Sequence, residues 1–161
     1  MSDLTGAAGA RVIVVDNHEA IHAGIRHWCS QADPPIAVVA GYRSVDELLT
    51  HHPGSAAGAE VVVFDVELQP GRPGLGELRR IVDLGHRVVV YTHITAAEIM
   101  LQAIEAGAAS YVTKLDDWTH LVDAIRDANR GGAHIAPHTA AARCRNTTFG
   151  RPQLAPREKE V

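Results

Sequence analysis

Four polar residues each follow directly on a short run rich in β-branched residues: Asp16 after 12–15, Asp65 after 61–64, Thr92 after 88–91 and Lys114 after the weaker run 111–113. Their types make a coherent chemistry if the runs are strands of one sheet. Two carboxylates brought together favour a hard divalent cation such as Mg²⁺, which prefers oxygen ligands and retains water. A carboxylate on a central strand can also attack phosphorus and become an aspartyl phosphate, and Asp65 follows the central run. A lysine and a hydroxyl facing it would neutralise and hydrogen-bond the phosphoryl oxygens. An aspartate after a strand more often serves as a turn or helix cap. Two of them, in order with Thr92 and Lys114, make that plainer explanation a poor one for the set.

The elements that must position these residues are legible from periodicity. The runs 12–15, 36–40, 61–64 and 88–91 are short and lack period-2 alternation, as strands covered on both faces do. Between them the helical period returns: Ile21, Ile25 and Trp28; Val45, Leu48 and Leu49; Leu75, Leu78 and Ile81; Ile99, Met100 and Ala103; Trp118, Leu121 and Ile125. Ser44 with Glu47 three residues on is a capping box for the second helix. Five strand–helix repeats predict an α/β fold, a flavodoxin-like doubly wound parallel sheet of five strands in order 2-1-3-4-5 with five helices. Ligands bind such sheets beyond the carboxyl ends of the strands, beside the point where strand order reverses. Asp16, Asp65, Thr92 and Lys114 end the four strands around that point.

Composition excludes more than it identifies. The chain has 161 residues, with fifteen Lys and Arg against nineteen Asp and Glu, a formal net charge of −4. A mildly acidic surface argues against unaided nucleic-acid binding, which selects for basic patches. No apolar run approaches the roughly 20 residues of a membrane span, and the N-terminus lacks the basic and apolar regions of a secretory signal. Cys29 and Cys144 are too few for a disulfide framework, so a reducing, cytoplasmic setting is expected.

Taken in order and spacing, the segments 12–18, 61–65, 88–92 and 105–114 resemble the receiver domain of bacterial two-component response regulators of the NarL/FixJ type. The likeness covers residues 11–132 and implies a CheY-like fold. It implies that Asp65 is the phosphoacceptor and that Lys114 contacts the phosphoryl group. Thr92 becomes the switch hydroxyl and Tyr111 the switch aromatic. The metal site, for Mg²⁺, would comprise Asp16, Asn17, Asp65 and the main-chain carbonyl of Glu67. The implied partners are a sensor histidine kinase, a second copy in a homodimer, and DNA only through a further C-terminal domain. No turnover of a free substrate is implied, so the chain is not expected to be an enzyme. Residues 154–161 resemble the start of a LuxR-type helix-turn-helix domain, with Pro156 and the acidic residues after it suited to a helix N-terminus. Residues 1–10 are expected to be disordered and 133–153 to form a linker.

The chain departs from the family pattern in specific places. An aspartate pair is usual where Asp16 and Asn17 stand, so the site loses one negative charge and Mg²⁺ affinity. The loop 66–76 is longer and glycine-rich, Leu115 replaces a common proline, and His93 is bulky. Two readings follow: a receiver phosphorylated at Asp65 with weakened metal dependence, or an atypical receiver regulated by a small ligand or by dimerisation. A haloacid-dehalogenase-like phosphatase also attacks with aspartate, but it needs a second carboxylate two residues on. Asp16 has His18 there, and Asp65, with Glu67, lies on the wrong strand.

Ten histidines raise a zinc alternative, with His18 and His22, and His134 and His138, spaced i and i+4. Without a third ligand of suitable spacing they read as surface histidines, His18 excepted, since it adjoins the acidic site. Trp28 and Trp118 read as core residues, and Asp116 with Asp117 as caps of the last helix.

Overall fold

The computed structural model describes residues 10–52 and 60–132, and beyond them Pro137, Ala140, Ala141 and Cys144, which are helical and exposed. The segments expected as linker and helix-turn-helix start, with His134 and His138, therefore lie almost wholly outside the described residues. Within residues 10–52 and 60–132, five strands alternate with five helices: β1 (Arg11–Val15), α1 (Glu19–Gln31), β2 (Ala37–Tyr42), α2 (Val45–His51), β3 (Glu60–Phe64), α3 (Leu75–Asp83), β4 (Arg87–Thr92), α4 (Ala97–Glu105), β5 (Ser110–Thr113) and α5 (Trp118–Asn129). All strand pairs are parallel and the order is β2-β1-β3-β4-β5, as the alternation of apolar runs predicts.

Period-2 geometry divides each buried strand between two cores. Val12, Val14, Val61, Val63, Val89 and Tyr91 face α1 and α5. Ile13, Val15, Val62, Phe64, Val88 and Val90 face α2, α3 and α4. Because both faces are covered, these strands need apolar residues at every position. β2 differs from expectation: it runs to Tyr42, and its residues alternate between exposed and half-buried. As an edge strand with one neighbour it is only partly covered.

The helices start and stop where side-chain chemistry allows. Ser44 Oγ accepts the Glu47 N–H at 3.2 Å, while the Glu47 carboxylate reaches back to the Arg43 N–H at 2.9 Å, one residue earlier than an ideal box. Asp117 caps α5, accepting the Thr119 N–H at 3.4 Å and the Thr119 hydroxyl at 2.6 Å. Asp116 does not share that role; its carboxylate turns back to the Thr113 N–H and hydroxyl, at 2.9 and 3.1 Å. α4 ends at Gly107, whose φ of +111° is open to glycine and strained for other residues.

Trp28 and Trp118 are half-buried and pack against the core, as their place on the apolar stripes predicts. Their rings stack on each other at 6.3 Å, and Trp28 meets Tyr91 edge-on at 6.4 Å, closing the seam between α1 and α5.

Candidate functional site

Strand register brings the carboxylates together. Val15 pairs with Phe64 across β1 and β3, so the next residues, Asp16 and Asp65, leave the sheet side by side, about 4.8 Å apart at the backbone. Thr92 pairs with Thr113, and the Lys114 N–H donates to the Thr92 carbonyl at 2.8 Å. Parallel strands all present their carboxyl ends to the same edge, and that edge carries all four predicted residues.

Lys114 joins the two acids. Its Nζ donates to Asp16 Oδ2 at 2.9 Å and to Asp65 Oδ2 at 3.0 Å, with all three side chains 3% exposed. The remaining oxygens are also held: Asp65 Oδ1 accepts the Glu67 N–H at 2.8 Å, and Asp16 Oδ1 accepts the His18 N–H and ring Nδ1–H, both at 2.9 Å. One ammonium against two carboxylates leaves the cluster with a net negative charge. Neighbouring tyrosines register it. Burial, then the Asp16 charge, pushes the Tyr91 phenol up to about 12. Tyr111 is raised further, by burial and then by Asp65 and Glu67. Lys114 Nζ also lies 5.8 Å from the centre of the Tyr91 ring.

The other predicted residues surround this centre. Thr92 is fully buried, its hydroxyl accepting the Ile94 N–H at 3.4 Å. Tyr111 is fully buried too, pointing inward, and its hydroxyl donates to the Ile94 carbonyl at 2.8 Å. Thr92 and Tyr111 thus both engage Ile94, on the loop between β4 and α4. Asn17 donates through Nδ2 to the Leu68 carbonyl at 2.9 Å, tying the β1–α1 loop to the long loop after β3. Its Oδ1 is buried with no donor among the described residues. Two buried carboxylates beside an amide oxygen in want of a positive partner suit a divalent cation.

One histidine departs from the surface reading. His22 is buried at 8% exposure, and its Nε2–H donates to the Asp16 carbonyl at 2.7 Å, supporting the backbone beneath the acid. Gly41 makes room for it: a Cβ there would stand 2.6 Å from His22 Nδ1. His18 and His22 do not converge on one ligand position, since the first faces Asp16 Oδ1 and the second donates to the Asp16 carbonyl. Instead Asp16, His18 and Asp65 each offer a ligand atom, all within 4.8 Å of one another. The third ligand comes from another strand, which sequence spacing cannot display. A cavity of about 260 Å³ opens nearby, between Arg43, Leu68, Arg72, Glu77 and Arg80, and includes neither acid nor Lys114.

Comparison with known proteins agrees with this geometry. The family described as response regulator receiver domain matches residues 12–126. The DNA-binding transcriptional activator DevR/DosR of Mycobacterium tuberculosis is 36% identical over 136 residues, covering 82% of this chain and 60% of that protein. The response regulator GacA of Pseudomonas viridiflava is 31% identical over 133 residues, covering 81% and 60%. Among solved structures, a LuxR-family two-component response regulator from Aurantimonas sp. SI85-9A1 superposes with a TM-score of 0.73 at 29% identity, covering 88% of this chain and 99% of that one. The chain spans about 60% of the length of the two curated relatives. Among the described residues no helix is long and apolar enough to cross a membrane. With a family match over residues 12–126, and with Asp16, Asp65 and Lys114 gathered at the carboxyl edge of a 2-1-3-4-5 sheet, the chain belongs to the response regulator receiver domain family.

Proposed function

We propose that this chain is the receiver of a cytoplasmic transcriptional response regulator and that Asp65 accepts a phosphoryl group from a sensor histidine kinase. The observation that carries the reading is the Lys114 ammonium bridging two buried carboxylates at 2.9 and 3.0 Å. In the transfer, an Asp65 carboxylate oxygen forms the new P–O bond as the P–N bond of the kinase phosphohistidine breaks. The electron pair leaves on the imidazole nitrogen. Lys114, already beside Asp65, pairs with the phosphoryl oxygens as they arrive, and the Thr92 hydroxyl turns from the Ile94 N–H to donate to one of them. Tyr111 follows, since its hydroxyl holds the same Ile94 loop.

A divalent cation such as Mg²⁺, held by Asp16, Asp65, the Asn17 amide oxygen and the Glu67 main-chain carbonyl, would supply further positive charge to the phosphoryl oxygens. Asn17 in place of an acid makes that hold weaker. The chemistry is self-directed rather than turnover of a free substrate. Output runs through a homodimer and through a DNA-binding domain beyond this receiver.

Acetyl phosphate with Mg²⁺ tests the reading without the kinase. Intact mass spectrometry is expected to show one added phosphoryl group, absent in Asp65→Asn. No gain favours a receiver regulated by a small ligand or by dimerisation alone, and a gain that survives the substitution overturns Asp65 as the acceptor.

A further inference from the structure

We propose that the cavity between the β2–α2 connection and the loop after β3 binds a small organic anion, one that joins a carboxylate or phosphate head to an apolar body. The site is separate from the acidic cluster and does not depend on phosphorylation of Asp65.

Its walls come from three stretches of chain. Arg43 and Ser44 lead into α2, Leu68 and Arg72 belong to the long loop after β3, and Arg80 lies on α3. The volume of about 260 Å³ is a little below the ~300 Å³ at which drug-sized pockets begin, which suits a small molecule. Beneath is an apolar floor, with Val45 and Val66 buried and Leu68 half-buried. Around it stand the exposed Arg43, Arg72 and Arg80. An apolar hollow with a few charged groups at its edge can hold the two ends of an amphipathic ligand at once.

Charge decides the sign of that ligand. Three arginines face two acids, Asp46 and Glu77, which leaves one positive charge in excess. Asp46 is already paired with Arg80 at 3.5 Å, and Arg43 leans at 3.9 Å towards Glu19, outside the cavity. The Glu77 carboxylate lies over the start of α3, so close that a Cβ on Gly74 would stand 3.2 Å from its Oε1. There it complements the positive end of its own helix. Arg72 is the cation left over. Its guanidinium has no ion pair or hydrogen bond among the described residues; only its backbone N–H is engaged, donating to the Gln69 carbonyl at 3.1 Å. A planar guanidinium fork matches a carboxylate or phosphate with two parallel bonds.

The loop that carries Arg72 is held in shape. Gly71 turns it at a φ of +74°, the Gly74 N–H closes it by donating to the Val66 carbonyl at 2.6 Å, and Asn17 holds the Leu68 carbonyl at 2.9 Å. A preformed turn spares the ligand much of the cost of ordering its partner.

Amide-shift NMR titration of the isotope-labelled full chain tests the site. The probes are phenyl phosphate and benzoate, with benzyl alcohol as the neutral body and inorganic phosphate as the head alone. Both aromatic anions are expected to give saturable shifts at Ser44, Leu68, Gln69 and Arg72, and the tighter of the two identifies the preferred head group. Arg72→Gln, an exposed loop substitution, is expected to weaken them about tenfold, the scale of a lost charged hydrogen bond. Benzyl alcohol and inorganic phosphate are each expected to bind at least about tenfold more weakly than phenyl phosphate, since each lacks one of the two contacts. Benzyl alcohol binding as tightly as the anions, or anion affinity unchanged in Arg72→Gln, would overturn anion recognition. Inorganic phosphate binding as tightly as phenyl phosphate would overturn the part given to the apolar floor. No saturable shift in the cavity at about 20 mM, above the millimolar affinity within reach of a ligand of this size, would overturn the site altogether.

Discussion

Asp16 and Asp65 are nearly inaccessible to water, and Lys114 is the cation that makes their burial tolerable. A buried charge without a partner is strongly unfavourable, so the three residues stand or fall together. A different residue sets a pH limit on the fold. His86 is 3% exposed at the start of β4, and burial holds its imidazole below the ordinary value, partly offset by Glu60 and the His52 backbone. The unfolded chain therefore binds a proton at this position at higher pH than the folded one does. His86 contributes to stability above about pH 6.5, the ordinary histidine value, and that contribution is lost as pH falls. The urea midpoint is expected to drop between pH 7 and pH 5, and the drop to shrink in His86→Gln. An equal drop in both proteins would assign the pH dependence to other groups. At this scale the sequence discloses residues placed by strand ends: Asp16, Asp65, Thr92 and Lys114 sit at the sheet edge because a strand points one way. It hides residues placed by the packing of one element on another. His22 looks like a surface histidine on a polar helical face, and only the fold shows Gly41 opening space for it beneath Asp16.

Among the elements, β1, β3 and β4 were readable because strands covered on both faces need unbroken apolar runs. β2 carries an apolar run at 36–40 but extends to Tyr42, since an edge strand mixes exposed and half-buried positions and its end is not marked by the run. The stop of α4 is a sharper case. Gly107 has a φ of +111°, and a Cβ there would stand 2.8 Å from Val82 Cγ1 on α3. Gly107→Ala combines a strained backbone, worth about 1–2 kcal/mol for a left-handed residue, with a close contact between two helices. A loss of at least that size in chemical denaturation, with an unchanged denaturant slope, is the expected result. A loss under about 0.5 kcal/mol, the usual bound for an unremarkable surface change, would show that α3 and α4 adjust freely. The helices nearest Thr92 and Tyr111 would then be softer than their packing indicates.

For the molecule as a whole, topology turns a mildly acidic sequence with scattered functional residues into one site. Parallel strands deliver their carboxyl ends to a single edge, and the 2-1-3-4-5 order sets Asp16 beside Asp65 at its centre. The net charge of −4 thus includes two carboxylates with a defined place and a single lysine between them. Those features were legible in the sequence because they follow from strand order. The Asn17–Leu68 link was not, because it depends on how two loops meet. The central claim is that Asp65, and no other residue of the chain, takes the phosphoryl group. Its most direct test is to treat the chain with acetyl phosphate and Mg²⁺, reduce the acyl phosphate with borohydride, and map the peptides by mass. The account predicts a single reduced aspartate, at position 65. A reduced residue at any other position, or none in chain shown to be folded, would contradict it.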